Sequence, residues 1–398
     1  MAPTRVAVLG LGMAGGGILR SLSSTPELAI AAAVSSRPGA LAAFADQFHG
    51  RGYQTLAELC RDPEIEAVWV ATPSEYHCEH AITLAEHGKH IVMEKPFAVT
   101  LAECERMIDA AERNRVALIA GGSHSFNPAY LSMRKIITSG RLGRLGGLTD
   151  WAFTNWMVRP REQHEVDPQR DGGELLNQGP HPIDALRLLG GGMMCSVRGT
   201  MLDFGLPGRA CAGYFSAYME FEDGTPVTLV YNGYGYIGGW EMVPWGEKPD
   251  RQASLTAEYD YRRKLRDGIP DEDADREVAR FGAEGRLSGR GSGESAWVPN
   301  SPGNIIASCE RGELRQSSTG LYVYDDLGRH DEPLAVRGNV RVNEAAELRR
   351  ALAGQPIFRD GRWGMATLEV VLAIAKSAAE RKEVLLEHQI PVLDGIDL

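Results

Sequence analysis

The 398-residue chain has few lysines, since only seven of its 42 basic residues are lysine. It has no block of basic residues, and its formal net charge is −11 at pH 7. A nucleic-acid surface normally needs a basic stripe, so such a partner is not indicated. No apolar run approaches the ~20 residues that span a bilayer, and the first residues do not read as a signal peptide. We therefore expect a soluble protein without a nucleic-acid or membrane partner.

Cysteines are also scarce, with six in the chain and no C-x-x-C pair among them. In a chain of this length they indicate reduced thiols and a cytoplasmic location. One local cluster contains Cys78 with His77, His80, His87 and His90. These residues would cross a helix, a turn and a strand, so we expect no metal site.

The first third of the sequence alternates apolar strands with helices of about ten residues. This pattern predicts a parallel sheet covered on both faces, a Rossmann fold, over residues 1–123. The strands are expected at Val6–Leu9, Leu28–Val34, Ala67–Ala71, His90–Met93 and Val116–Ala120.

The remaining residues, 124–398, show a different periodicity. After a helix at Pro128–Ser139, apolar and polar residues alternate from Tyr214 to Phe221, which predicts strands with one buried face. We expect an α+β domain with a large open, mainly antiparallel sheet. A Gly/Arg/Ser-rich stretch at about 270–300 is expected to be a mobile insertion, and Arg362–Arg381 a docked terminal helix.

The segment Gly10-Leu11-Gly12-Met13-Ala14-Gly15 is a G-x-G-x-x-G motif between a strand and a helix. In this context the glycines permit a tight turn, close approach of a pyrophosphate and close helix–strand packing. The phosphates would rest on the positive end of the helix. The motif predicts a bound dinucleotide.

The end of the second strand bears on which cofactor is bound. An acidic residue there binds the ribose of NAD, whereas a basic residue accommodates the extra phosphate of NADP. The strand runs into Ser35-Ser36-Arg37, which contains no acid. Ser36 and Arg37 therefore favour NADP, with NAD as the alternative and a solvated arginine as the simpler interpretation.

Two further segments carry reactive side chains. Glu94-Lys95-Pro96 follows a strand, and a lysine there can stabilise negative charge developing on a substrate oxygen. The segment Gly172–Asp184 contains Asn177, His181 and Asp184 at helical spacing, although Pro180 and Pro182 argue against a regular helix. His181 suits proton exchange with an alcohol. The alternatives are a surface Lys–Glu pair and a structural histidine bonded to Asp184.

These motifs together resemble the Gfo/Idh/MocA oxidoreductase family. The resemblance comprises Gly10–Gly15, Ala71-Thr72-Pro73 followed by His77, Glu94-Lys95-Pro96 and Gly172–Asp184. It implies hydride transfer on sugars, polyols or related alcohols, and association of copies into a dimer or tetramer through the second-domain sheet. It also implies that Lys95 and His181 are catalytic, and that Thr72, Pro73, His77 and Glu94 lie near the cofactor. Asn177 replaces an aspartate found in many members, which weakens a proton relay there. We expect Asn177 and Asp184 to orient the reacting groups.

Within the family, Asn177–His181, Gly312–Ser317 and Asp360–Thr367 resemble the phthalate 4,5-cis-dihydrodiol dehydrogenase branch. That branch implies oxidation of a carboxylated cyclic cis-diol to a catechol. A flat apolar wall for such a ring is expected from Phe126 and Trp156, and Asn127 is also expected to bind the substrate. Its carboxylates would need cations, for which Arg159 and Arg161 are the nearest candidates, with Arg170 behind them.

Two rival functions remain at this stage. One is a sugar or inositol dehydrogenase of the same family. The other is a non-catalytic NAD(P)-binding regulator, which would need neither Lys95 nor His181. The presence of both residues favours an enzyme acting on a cyclic alcohol.

Overall fold

The structure is a computed structural model in two parts, a Rossmann domain and an α/β domain. It describes residues 3–122, 124–167, 173–268, 270–281, 297–299, 302–334 and 340–393. None of the helices in these ranges combines the length and apolar character needed to cross a membrane.

The first domain is built on a parallel sheet of six strands within the described residues, in the order β3-β2-β1-β4-β5-β6. Strands β1, β4, β5 and β6 are mostly or fully buried because helices cover both faces, which confirms the predicted Rossmann fold. The elements are β1 (Thr4–Leu9), α1 (Met13–Leu22), β2 (Leu28–Val34), α2 (Pro38–Phe48), β3 (Arg51–Tyr53), α3 (Leu56–Cys60), β4 (Ala67–Val70), α4 (His77–Glu86), β5 (His90–Met93), α5 (Leu101–Asn114) and β6 (Leu118–Ala120).

The second domain has a mixed sheet of nine described strands in the order β14-β13-β12-β11-β7-β10-β9-β8-β15. The β7–β10 pair is parallel and the other pairs are antiparallel, as the sequence predicts. The strands are β7 (Leu145–Phe153), β8 (Met194–Leu202), β9 (Tyr214–Phe221), β10 (Pro226–Asn232), β11 (Asn304–Cys309), β12 (Gly312–Gln316), β13 (Gly320–Asp325), β14 (Gly328–Pro333) and β15 (Val384–Leu385).

Helices of the second part pack on one face of this sheet and reach back to the first domain. They are α6 (Pro128–Thr138), α7 (Gly173–Gln178), α8 (Pro180–Gly190), α9 (Pro249–Asp267), α10 (Glu272–Phe281), α11 (Val340–Leu352) and α12 (Gly361–Glu380). Ala345 and Leu348 of α11 belong to the same apolar cluster as the core of the Rossmann sheet. Asp360, just before α12, bridges Ile119 of β6. The last third of the chain therefore completes the first domain.

The helix that carries Asn177 and His181 is nearly continuous, which corrects the expectation that prolines would interrupt it. Gly179 keeps helical dihedral angles between α7 and α8, and its N–H donates to Leu175 O at 2.7 Å. Pro180 and Pro182 fall in the first turn of α8, where a backbone N–H needs no partner within the helix. Asn177 and His181 therefore do lie one turn apart.

The predicted mobile insertion is only partly described. Residues 282–296 lie outside the described ranges, as does Arg170. The part before them forms α10, whose first turn carries Glu272. Glu272 accepts hydrogen bonds from Arg209 at 2.7 and 3.1 Å and from the backbone N of Arg161 at 2.7 Å. The beginning of this stretch is therefore a helix tied to the second domain, since Glu272 supplies a buried arginine with its counter-charge.

Candidate active site

The glycine-rich turn between β1 and α1 has the shape that the motif predicts. Gly10 has a φ of +100°, and an added Cβ would lie 2.6 Å from Ala71 O. An added Cβ on Gly15 would lie 1.9 Å from Gly10 O, so α1 can approach β1 only without a side chain there. Gly12 instead faces open space, with nothing within 4 Å of an added Cβ. This glycine leaves a cradle above the turn.

The N-terminus of α1 faces that cradle. Gly12 is its N-cap, no side chain caps the helix, and its first turn contains no acidic residue. Its backbone N–H groups and the positive end of its dipole are therefore available to phosphate. Met13, which is 52% exposed, and Ala14 begin this helix.

Arg37 lies beside the glycine-rich turn. Its Nη2 donates to Leu11 O at 2.7 Å, and its backbone N donates to Ser35 Oγ at 3.2 Å. Ser36 is exposed next to it. A guanidinium group is thus held where the second strand ends, at the edge of the glycine cradle.

His77 links the ends of β4 and β5. Its Nε2 lies 3.0 Å from Thr72 O, and its Nδ1 lies 2.9 Å from Pro96 O. The ring is buried, and burial lowers the pKa of His77. His77 therefore fixes the turn that contains Thr72 and Pro73 relative to the Glu94-Lys95-Pro96 turn.

The other histidines near His77 have separate partners. His80 Nδ1 lies 3.0 Å from Thr72 Oγ1, His87 Nδ1 lies 2.8 Å from Thr83 O, and His90 Nδ1 accepts from Ala117 N. These contacts are structural. Among the described residues, no group of histidine, cysteine or acidic side chains is arranged to hold a metal ion.

Glu94 takes part in a buried charged cluster that the sequence analysis did not find. Arg341 of α11 pairs with Glu94 and, at 2.8 Å, with Glu344. Glu344 also accepts from the backbone N of Gly122 at 2.7 Å. Arg341 therefore neutralises carboxylates from two distant segments and holds the end of β6 against the end of β5. Arg341 and Glu94, like Glu344 and Gly122, are more than two hundred residues apart in the chain, so local patterns could not reveal these contacts.

Lys95 extends from the end of β5 to α7. Its Nζ donates to the backbone O of Asn177 at 3.1 Å and to Asn177 Oδ1 at 3.3 Å. Asn177 Oδ1 also accepts from Trp156 Nε1 at 3.2 Å and from Gln178 Nε2 at 2.6 Å. Three donors fix the orientation of the Asn177 amide. The lysine ammonium group is thereby positioned without a negatively charged partner at residue 177.

Several charges act on Lys95. Burial lowers the pKa of Lys95, and the cations Arg161 and Arg159 lower it further, whereas Glu94 and Glu165 oppose the change. A lysine whose pKa is depressed can exchange a proton with substrate more readily than an exposed one.

His181 lies one helical turn after Asn177 and packs against a second histidine. The ring centroids of His124 and His181 are 4.8 Å apart, with their planes nearly perpendicular. Burial and the charges of Lys95 and Arg341 lower the pKa of His124 to about 3. His124 is therefore a neutral neighbour of His181, and the sequence analysis did not single it out.

Asp184 is held by groups from two other segments of the chain. Its Oδ2 accepts from Ser125 N at 2.5 Å and its Oδ1 from Trp363 Nε1 at 2.6 Å. It lines a small internal cavity that also touches Lys95. Both carboxylate oxygens accept hydrogen bonds, so Asp184 anchors the segment containing His124 and the indole of Trp363.

Arg161 and Trp156 form one packed unit beside Lys95. The guanidinium carbon of Arg161 lies 4.1 Å from the centroid of the Trp156 ring, and its Nε donates to Trp156 O at 3.0 Å. Its Nη1 pairs with Glu165 at 3.2 Å. Trp156 is fully buried, so it supports Asn177 and Arg161 from behind and offers no open wall.

Phe126 and Asn127 were expected to contact substrate, and the structure places them otherwise. Phe126 is 0% exposed and lies in the apolar cluster with α11, with the guanidinium carbon of Arg359 4.2 Å from its ring centroid. Asn127 is the N-cap of α6 and accepts from Ala129 N at 2.9 Å. A core position and a helix cap explain these two residues better than a binding wall does.

The arrangement fits a dinucleotide bound across the first domain. The open space at Gly12, the uncapped N-terminus of α1 and Arg37 would hold its phosphates and ribose, and Lys95 and His181 lie at the carboxyl edge of the same sheet. Ligands of open α/β sheets bind at that edge. When bound, a nicotinamide supplies a hydride acceptor or donor.

Comparison with known families decides which proteins share this arrangement. Residues 4–121 match the model of an oxidoreductase family with an NAD-binding Rossmann fold. Residues 130–248 match the model of the GFO/IDH/MocA C-terminal domain. The chain belongs to the Gfo/Idh/MocA oxidoreductase family. It is an NAD(P)-dependent oxidoreductase with the two-domain fold of that family.

Members of the Gfo/Idh/MocA family with named activities cover most of the chain. A 1-carboxy-3-chloro-3,4-dihydroxycyclohexa-1,5-diene dehydrogenase from Comamonas testosteroni is 30% identical over 378 residues, 93% of this chain and 94% of its own. Inositol 2-dehydrogenase 2 from Saccharopolyspora erythraea is 29% identical over 321 residues, 76% of this chain and 91% of its own.

Solved structures of the Gfo/Idh/MocA type superpose on nearly the whole chain. A protein from Bordetella bronchiseptica RB50, described as a dehydrogenase, superposes with a TM-score of 0.87 at 32% identity, covering 96% of this chain and 100% of its own. A levoglucosan dehydrogenase with NADH superposes with a TM-score of 0.74 at 18% identity, covering 97% and 100%. The latter supports the fold alone.

Proposed function

We propose that this oxidoreductase oxidises a carboxylated cyclic cis-diol, with Lys95 and His181 as catalytic residues. The observation that supports this most is the position of Arg161, which packs on Trp156, because Trp156 Nε1 donates to the same Asn177 Oδ1 that accepts from Lys95 Nζ. Cations beside a catalytic lysine suit a substrate that carries both hydroxyl and carboxylate groups. The Comamonas testosteroni relative is named for a substrate with both groups.

Lys95 positions the reacting hydroxyl group. Its ammonium group, held by Asn177, donates to the substrate oxygen and stabilises negative charge as the C–H bond breaks. His181 accepts the hydroxyl proton, since a neutral imidazole is a suitable base near neutral pH. A bound oxidised nicotinamide would supply the hydride acceptor, and the carbonyl product of a cyclohexadiene diol would tautomerise to a catechol. Asn177 is a positioning residue because it acts through Lys95.

Arg159 and Arg161 bind the substrate carboxylate in this proposal. Arg161 is fixed by Trp156 and Glu165, so little side-chain entropy is lost when it meets an anion. A buried carboxylate without a counter-charge would cost several kcal/mol. A neutral sugar or polyol makes no such demand on these cations.

NADP is the proposed cofactor, with NAD as the alternative. The support is Arg37, which lies at the end of β2 beside the glycine turn, together with the absence of an acidic residue in Ser35–Arg37. We further propose that copies of the chain associate through the outer face of the nine-stranded sheet, where Trp151 and Tyr218 are about half exposed. The six cysteines are free, which is compatible with a cytoplasmic location.

A substrate panel tests this function. The purified protein is given NADP or NAD and, in turn, a carboxylated cyclohexadiene cis-diol, the same diol without its carboxylate, and an inositol. We expect the carboxylated diol to have the highest kcat/KM. Arg159→Ala and Arg161→Ala should weaken the carboxylated diol by ~2 kcal/mol or more, as for a lost charged hydrogen bond. The neutral diol controls for damage to the fold. Preference for the inositol, with no effect of the arginine variants on selectivity, would contradict the proposal.

A further inference from the structure

A buried carboxyl group without a partner lies close to the proposed carboxylate site. Glu174, in the first turn of α7, is 0% exposed. Neither of its carboxylate oxygens has a hydrogen-bond partner among the residues that the structure describes. It occupies space that Gly233 leaves open, because an added Cβ at Gly233 would lie 1.6 Å from Glu174 Oε1. The fold makes room for this carboxyl group without satisfying it.

An arginine nearby has an unsatisfied donor. Arg161 uses Nε for Trp156 O and Nη1 for Glu165, whereas its Nη2 is buried and makes no hydrogen bond within the described part of the chain. α7, which carries Glu174, packs against the short helix Gln163–Val166, whose Glu165 pairs with Arg161 at 3.2 Å. Unsatisfied buried polar groups are costly, so an unpaired donor and acceptors in one place indicate a missing ligand group.

The protonation of Glu174 decides which ligand group fits. Burial raises the pKa of Glu174 well above its ordinary value, and the charges of Arg161 and Arg159 only partly offset this. The protonated acid is a hydrogen-bond donor. Protonated Glu174 and Nη2 of Arg161 are therefore two buried donors without a hydrogen-bond partner in the described part of the chain, and two donors are the complement of a carboxylate. An ionised Glu174 would instead repel a carboxylate and suit a hydroxyl group.

We propose that Glu174 is a substrate-recognition residue that shares its proton with the substrate carboxylate bound by Arg161. The inference rests on the proposed function, since it assigns a second partner to the same carboxylate. Two carboxyl groups that share one site bind one proton between them, because both cannot be ionised side by side. The pair is selective, since a neutral diol offers no acceptor carboxylate to the Glu174 proton.

Among the groups around this site, Glu174 is the one whose protonation is expected to change with pH, because its neighbours keep their charge near neutral pH. The cations are Arg159 and Arg161, from the segment after β7. The other groups that face Glu174 are Tyr231, Tyr234 and Cys211. Burial raises the pKa of each of them, that of Cys211 to about 11, so all three are neutral near pH 7. Asp203 lies farther out, 3.5 Å from the hydroxyl of Tyr234. Affinity for a carboxylated substrate should therefore fall as the pH rises through the pKa of Glu174.

The experiment measures kcat/KM for a carboxylated cyclohexadiene cis-diol and for its uncarboxylated analogue between pH 6 and 10. The ratio of the two values cancels the titration of Lys95 and His181, which both substrates share. We expect this ratio to fall in the wild type by up to about tenfold per pH unit once Glu174 ionises. Glu174→Gln keeps a donor at all pH values, so its ratio should stay flat. Glu174→Ala should lower the ratio at least tenfold at pH 7.

Folding and binding are checked separately. Thermal unfolding of Glu174→Gln and Glu174→Ala shows whether the variants fold, and titration of each with a carboxylated catechol measures affinity without turnover. If neither substitution changes the ratio, or if both substrates lose activity equally, Glu174 does not recognise the carboxylate and the inference is wrong. If the wild type oxidises neutral diols but no carboxylated diol, the proposed function itself fails. The two failures are thus distinguishable.

Discussion

Lys95 at the end of β5 and Asn177 in α7 are joined by two hydrogen bonds, from Nζ to the backbone oxygen and to Oδ1. This contact connects the two domains at the point where chemistry is proposed. The partner is an amide, so the lysine is positioned without being neutralised. A carboxylate at residue 177 would change the charge of the site and leave its shape nearly unchanged.

Asn177→Asp should therefore raise the pKa of Lys95. Burial and two arginines hold that pKa below its usual value, and a carboxylate within 4 Å favours the ammonium form. We expect the limb of the pH–kcat profile that belongs to Lys95 to move about one pH unit or more to higher pH. Asn177→Ala removes the positioning without adding charge and should lower kcat without that shift. A shift to lower pH in Asn177→Asp would contradict the assignment.

Lys95→Ala and His181→Ala should each lower kcat by ~10²-fold or more, because each removes a group that acts on the reacting oxygen. Cofactor binding, measured by fluorescence titration, should stay near the wild-type value. Lys376 is an exposed lysine of α12. The variant Lys376→Ala is the matched control and should leave kcat unchanged. Turnover within a few-fold of wild type in both site variants would exclude a catalytic role for these residues.

Arg37→Ala should weaken NADP selectively, because the guanidinium group at the end of β2 can meet the 2′-phosphate. NAD lacks that phosphate, so its affinity should change little. Parallel titration of both cofactors against wild type and variant measures the effect. A wild type that clearly prefers NAD, and a variant that keeps this preference, would overturn the cofactor proposal.

His124 should make the protein sensitive to acid. Its pKa is about 3 in the folded protein and near 6.5 when unfolded. The unfolded chain therefore binds the proton more readily, and the stabilising contribution present above pH 6.5 is lost as the pH falls towards 3. In His124→Gln the loss of Tm between pH 7 and 4 should be smaller than in wild type. The exposed His87→Gln serves as the control, and equal pH slopes in all three proteins would refute the prediction.

Arg359→Ala should lower the free energy of unfolding by ~3–5 kcal/mol, as for a buried ion pair that loses one partner. Arg359 is fully buried, lies 3.5 Å from Glu347, and donates to the backbone oxygen and hydroxyl of Ser125. Arg362→Ala removes an arginine three residues away that is half exposed and pairs with Glu112. That variant should lower the free energy of unfolding by no more than about 1 kcal/mol. Chemical denaturation of both variants measures the difference.

Local patterns predicted most of the fold and the position of the main reactive groups. The glycine turn, the strands and the Lys95 turn follow from spacing within a dozen residues, and the structure agrees with them. Phe126 and Asn127 show the limit, since an aromatic ring and an amide near a motif can equally be a core residue and a helix cap. Glu174 lay inside a recognised motif, but its burial depends on Gly233, which sits on another element.

Long-range charge pairs were beyond local reasoning for the same physical reason. Arg341 contacts Glu94 only because α11 packs against the first domain, and no pattern in the sequence between these residues predicts that packing. One feature does indicate a buried ion pair. Glu344 and Glu347 fall on the inner side of a helix, where a carboxylate needs a buried cation.

The packing of α11 and α12 against the first domain also affects when that domain can complete its fold during synthesis. The strands of the cofactor domain are synthesised first, yet Ala345 and Leu348, which close its core, follow more than two hundred residues after the last of them. Until then Ile119 and its neighbours lack their cover, and the nascent chain carries an exposed apolar surface while residues 121–339 are made. Contacts between such distant parts of a chain also slow folding. The protein is therefore expected to complete its cofactor domain only after strands β7 to β14 of the second domain have been synthesised.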